Sequence, residues 1–155
     1  AGMDVMNHSD DHAHFSQLSE QDIISNVNTC NDKIEAITGT RPTLFRCPYG
    51  EYDNHVVSAV NSMGMHVIQW NVDSLDWKEQ GAEAEIRQVL EHKHLGNGSI
   101  ILFHNDAKYT PKVLDTILKG IKEKGFEIVP ISQLIHRENF EMDHEGRQIP
   151  KGKDV

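Results

Sequence analysis

With 155 residues and a net charge of −9, the chain has the size of one ordinary domain with a real core. It lacks the basic face that nucleic acid or an anionic membrane surface would require, which argues against both as partners. No stretch approaches the roughly 20 apolar residues of a membrane span, and residues 1–15 show neither the basic start nor the apolar run of a secretory signal.

Two cysteines, Cys30 and Cys47, are too few for a disulfide framework and leave the redox compartment open. Ala1-Gly2-Met3 does not start with Met and reads as the interior of a longer or processed protein. Ten histidines raise the question of a metal.

In chain order, residues 3–8 (MDVMNH) are expected to be a strand. An amphipathic helix follows, with Ile23, Val27, Cys30, Ile34 and Ile37 on one face; Ser19 and Asp22 resemble a capping box, and Gly39 is a natural stop. Residues 44–48 are a second strand, 54–64 a helix, 66–72 a third strand and about 82–94 another helix. SIILFH (99–104) reads as a strand covered on both faces. Thr110-Pro111 opens a helix with Thr as cap and Pro in the first turn, its buried stripe being Val113, Leu114, Ile117, Leu118 and Ile121. Residues 126–130 are expected to form the last strand before a short closing helix. Residues 1–136 are therefore taken as one domain and 137–155 as a polar tail without periodicity.

Strand–helix alternation of this kind predicts a parallel α/β sheet, open or closed as a barrel, with its chemistry at the C-terminal strand ends. Reactive residues do fall there. His8 ends the first strand, Arg46 to Gly50 the second, Asp73 with Asp76 and Trp77 the third, and His104 the fourth. His8 and His12, four apart, suit Zn²⁺, although a polar loop is the plainer reading of that stretch alone. Arg46 could equally be a solvated strand-end charge, and His104 a satisfied core histidine.

Together, His8-Ser9-Asp10-Asp11-His12, Arg46-Cys47-Pro48-Tyr49-Gly50, Asp73-Ser74-Leu75-Asp76-Trp77 and Leu102-Phe103-His104 resemble, in order, four of the five motifs of the polysaccharide deacetylases. These are the carbohydrate esterase family 4 enzymes with a NodB-type distorted (β/α) barrel. The fifth motif, T-F-D-D-G, which supplies the catalytic-base aspartate and a metal-ligating aspartate, does not occur in this sequence. The resemblance therefore implies a partial (β/α) barrel missing its first strand–helix units.

What else it implies is metal-dependent hydrolysis of N-acetyl or O-acetyl groups on a cell-wall or chitin-like polysaccharide, in an extracellular or cell-wall setting. His8 and His12 would hold a divalent ion, most readily Zn²⁺, and Ser9 would support a ligand. His104 would be the general acid, oriented by Asp73, and Arg46 would pair with the absent base. Pro48, Tyr49, Trp77 and Leu102 would meet the substrate, with the Tyr49 backbone N–H facing the oxyanion. Cys47 reads as a small apolar residue and His14 as a surface residue. The alternatives are a non-catalytic carbohydrate-binding relative, or a module that self-associates through exposed sheet edges.

Overall fold

The computed structural model describes residues 2–152, which fall into two compact units: residues 2–69 with 135–152, and residues 70–134. Each has its own core.

In the first unit, α1 (Glu20–Thr38) and α2 (Asn54–Ser62) pack near a parallel pair, β1 (Leu44–Phe45) with β2 (His66–Val67). Fully buried Phe15, Ile23, Val27, Phe45, Val56 and Val60 form the core, with the Phe15 and Phe45 rings stacked at 5.2 Å. Helix α1 begins as expected. Ser19 Oγ accepts from the Asp22 N–H (3.1 Å) and donates to the Asp22 carboxylate (2.6 Å), a cap worth about 1 kcal/mol. The reciprocal arm of a capping box is replaced by this side-chain bond. Gly39 ends the helix at φ 75°, its N–H on Glu35 O, the left-handed stop that glycine adopts without steric cost.

The second unit pairs β3 (Val72–Asp73) with β4 (Ile101–Leu102), again parallel, and packs α3 (Ala82–Leu90) against α4 (Thr110–Glu123). Val72, Val89, Val113, Ile117 and Ile121 make its core. Leu114, expected in the buried stripe, is 36% exposed.

Three expectations are corrected. Residues 66–72 are not one strand: the Ile68 N–H bonds Phe45 O (2.8 Å) and the Asn71 N–H bonds Ile100 O (3.1 Å), so the ladder partner changes between them. Residues 126–130 form no strand. The Phe126 N–H closes the end of α4 on Ile121 O (3.3 Å), and Pro130 O starts the short α5 (Ile131–Leu134) by accepting from Gln133 and Leu134. Thirdly, the segment read as a polar tail carries an antiparallel hairpin, β5 (Phe140–Met142) with β6 (Gln148–Pro150). The Tyr52 hydroxyl donates to Asp143 O (3.3 Å), tying the hairpin to the rest of the first unit.

Candidate functional site

The first unit holds His8, His12, Arg46, Pro48 and Tyr49, and the residue that organises them is Asn7. Asn7 has no exposed surface and bridges Phe45 in parallel. Its amide donates to Val27 O (2.9 Å) and Asn31 Oδ1 (2.8 Å), and its Oδ1 accepts from the Ser9 N–H (2.7 Å). Ser9 and His12 both stand at positive φ, 78° and 57°, conformations that cost about 1–3 kcal/mol each and persist only when overdetermined. The Asn7–Ser9 bond and a second from the His12 N–H to Ser9 Oγ (2.8 Å) hold them. Ser9 thus supports the backbone of His12. The two carboxylates inside the motif are engaged by α1, Asp10 with Lys33 and Asp11 with the Asn26 amide.

His8 Nδ1 lies 2.8 Å from Arg46 O. A carbonyl only accepts, so Nδ1 carries the hydrogen and Nε2 the lone pair of the neutral ring. That is the tautomer a metal-ligating histidine needs, fixed by the backbone of the residue expected to face the reaction. The His8 and His12 rings meet edge-on with centroids 5.0 Å apart. Imidazole nitrogens are donors that Zn²⁺ prefers, so these two rings are the residues that could hold such an ion. Among the described residues no group of three His, Cys, Asp or Glu is placed to hold a metal ion. His8 and His12 would be two of the three protein ligands that an open zinc site uses.

Tyr49 is the next member. It adopts φ 58°, ψ 8° inside the short helical turn Pro48–Gly50, and its ring is edge-on to His12 (4.5 Å) and stacked on His14 (4.1 Å, 9°). His14 is exposed, as expected, and at the surface it still packs on Tyr49. Its Nδ1 meets Glu51, which also accepts from the Ser16 hydroxyl (2.9 Å). These bonds, His14 foremost, hold the Glu51 carboxyl below its ordinary range. Burial pushes the Arg46 guanidinium down. Burial, reinforced by Asp53 and Glu51, pushes the Cys47 thiol up to about 12, so Cys47 is inert as a nucleophile at neutral pH.

The second unit holds Asp73, Asp76, Trp77, Leu102 and His104. The carboxylate on His104 is that of Asp76, which corrects the expectation for Asp73. Asp76 Oδ1 accepts from His104 Nδ1 (2.7 Å), and Oδ2 accepts from the His104 backbone N–H (2.8 Å). Asp73 Oδ1 is used two residues on, closing a turn on the Leu75 N–H (2.9 Å), as Asp does locally. That turn sets Leu75 at φ 54° and delivers Asp76 to a position 2% exposed. Burial alone would raise the Asp76 carboxyl; the His104 N–H and ring, with the Thr110 hydroxyl, outweigh it and hold the group below its ordinary range. With Nδ1 bound to Asp76, Nε2 of His104 is the nitrogen left to exchange a proton, on a side chain 38% exposed. Trp77 is 57% exposed, with Lys78 Nζ 5.3 Å from its ring centre. Leu102 sits in β4 opposite Asp73.

Thr110, expected as a helix cap, is the first residue of α4, and Tyr109 stands at the cap. The Thr110 hydroxyl instead lies 3.0 Å from Asp76 Oδ2 and 2.7 Å from Glu85 Oε1. Asn7, Thr110 and Glu85 are the participants missed in the sequence. Only Asn7, immediately before the histidine motif, carried a local signal.

Known proteins bear on this geometry. The polysaccharide deacetylase family model matches residues 1–68. The peptidoglycan-N-acetylmuramic acid deacetylase PdaC of Bacillus subtilis is 35% identical over 133 residues, 86% of this chain and 27% of PdaC. A family 4 carbohydrate esterase from Streptomyces lividans, solved with acetate, superposes with a TM-score of 0.74 at 31% identity, covering 83% of this chain and 71% of that one.

This chain belongs to carbohydrate esterase family 4. Another solved member, described as a family 4 pseudoenzyme from Bacillus anthracis, superposes with a TM-score of 0.78 at 31% identity, over 86% of this chain and 46% of that one. The chain thus spans about a quarter of PdaC and under half of the Bacillus anthracis chain, and its fold is the mixed α/β fold of family 4.

Proposed function

We propose that the protein hydrolyses acetyl groups from a cell-wall or chitin-like polysaccharide, with this chain supplying part of the machinery and part of a NodB-type barrel. The observation that carries the reading is the Asp76–His104 pair, a buried carboxylate holding a half-exposed imidazole by ring and backbone at 2.7 and 2.8 Å. A pure binding surface has no need of an oriented proton donor; an amide hydrolase does, because the departing amine must be protonated.

His8 and His12 would hold the divalent ion, Zn²⁺ by donor chemistry. Bound there, it supplies Lewis-acid activation of the carbonyl and of the attacking water. The backbone N–H of Tyr49 is assigned to the developing oxyanion. His104, as imidazolium, gives its Nε2 proton to the leaving nitrogen while Asp76 keeps the ring in register. Exposed Trp77 offers an apolar face to a sugar ring. The partner is accordingly an N-acetylated polysaccharide or oligosaccharide, met in an extracellular or cell-wall setting, where PdaC by its name finds peptidoglycan.

The sequence contains no T-F-D-D-G and so lacks the family's base. General-base catalysis contributes about 10²- to 10⁴-fold, and acetate release by this chain alone should fall short of complete family members by that factor. The likeness to a pseudoenzyme favours a second reading, a non-catalytic carbohydrate-binding relative.

Zinc binding tests the first half. Calorimetry should give a single Zn²⁺ site that weakens at least about tenfold in His8→Ala and in His12→Ala. Equal affinity in all three proteins would contradict the ligand assignment.

A further inference from the structure

The Thr110 hydroxyl poses a counting problem. It has one proton and touches two carboxyl oxygens, Asp76 Oδ2 at 3.0 Å and Glu85 Oε1 at 2.7 Å. Ionised carboxylates only accept, so both contacts can be hydrogen bonds only if a second proton is present. Asp76 already accepts the ring and backbone N–H groups of His104, so it is the ionised member. Glu85 is 5% exposed, and among the described residues its Oε2 is buried with no hydrogen-bond partner. An unpartnered buried charge is costly, whereas a neutral carboxyl has a proton to donate. The titratable groups on the chain itself are Glu85 from α3, Asp76, and His104 beyond β4. Thr110 of α4 links them, and Ser74 and Gln80 line the same small cavity as Asp76 and Glu85.

We propose that Glu85 is a protonated carboxyl that donates to Thr110, which donates to Asp76, making Glu85 and Thr110 positioning residues for the His104 proton donor. The direction is Glu85 Oε1–H to Thr110 Oγ1, Thr110 Oγ1–H to Asp76 Oδ2, and His104 Nδ1–H to Asp76 Oδ1. One net negative charge then serves the whole chain, and the Asp76 carboxylate cannot rotate without breaking bonds to two elements. The inference rests on the proposed role of His104 only for its catalytic meaning; the proton placement stands apart from it.

The test is therefore a titration without substrate. The His104 ring is followed by NMR against pH in wild type, Glu85→Gln, Thr110→Val and Thr110→Ser, each first shown to be folded. Gln at position 85 keeps shape and donor while remaining neutral, so the His104 midpoint should move by less than about half a pH unit. Valine at 110 removes the donor and leaves more charge on Asp76 Oδ2 for His104, so the midpoint should rise by more than about half a unit. Serine should restore it.

A shift larger than this in Glu85→Gln would mean that a charge had been removed and Glu85 is ionised, which overturns the proposal. A midpoint in Thr110→Val that stays or falls overturns it too. Failure of the deacetylase reading would appear in acetate release and leave these midpoints as they are.

Discussion

Replacing Asp76 by alanine should unfold residues 70–134 more readily than any change at Asp73. The side chain is fully buried and accepts three hydrogen bonds, from the His104 ring, the His104 backbone N–H and the Thr110 hydroxyl. Removing it strands donors that were satisfied by a charge. Discounted because the His104 ring is partly solvated, the loss should be about 2–4 kcal/mol. Asp73→Ala removes one local turn bond to the Leu75 N–H and should cost about 1 kcal/mol.

The pH dependence separates charge from shape. The Asp76 carboxyl lies below its ordinary range in the folded state, so its stabilisation is complete above the unfolded value of about 3.9 and is lost as pH falls through the folded one. The gap in stability between wild type and Asp76→Asn should therefore be widest at neutral pH and close progressively below about pH 4. Urea melts at pH 7 and in acid measure it. A gap that does not change with pH would show that Asp76 acts by shape alone.

The second large effect is expected at Asn7. Asn7→Leu keeps much of the volume but leaves Val27 O, Asn31 Oδ1 and the Ser9 N–H without their partner. At about 1–3 kcal/mol for each stranded buried group, partly relieved by relaxation, the loss should reach about 3 kcal/mol. The functional consequence follows from backbone geometry. The Asn7–Ser9–His12 bonds help hold Ser9 and His12 at positive φ, and loosening them lets the two imidazoles separate. Zn²⁺ affinity should fall by about 10–100-fold although no ligand has been altered. A folded Asn7→Leu protein that binds Zn²⁺ like wild type would show that the loop holds its own shape.

The parts of this account that were legible in the sequence are those carried by short-range pattern. Helices α1, α2 and α4 follow from apolar spacing and stop signals such as Gly39, and motif order singles out His8, His12, Tyr49 and His104 as candidates. What was hidden depends on contacts between residues far apart in the chain. Asp73 and Asp76 lie three apart in one motif and look interchangeable. Only the turn closed by Asp73 on Leu75 determines that Asp76 is the buried partner of His104. Thr110 before Pro111 carries a capping signature, yet 34 residues separate it from the carboxylate it serves. Glu85 looks like an ordinary first-turn acid of a surface helix, because its burial depends on how α3 meets α4. Residues 66–72 read as one strand because Val67, Ile68, Trp70 and Val72 recur along them, while the exchange of ladder partners within them leaves no trace in composition.

Acetate release from N-acetylglucosamine oligomers with Zn²⁺ present should be compared between this chain and a chain in which a T-F-D-D-G unit precedes residue 1. The aspartate-bearing chain should release acetate at least about 10²-fold faster, and His104→Ala should abolish that gain. Equal rates with and without the unit, or a gain that survives loss of His104, would contradict the assignment of this site to deacetylation.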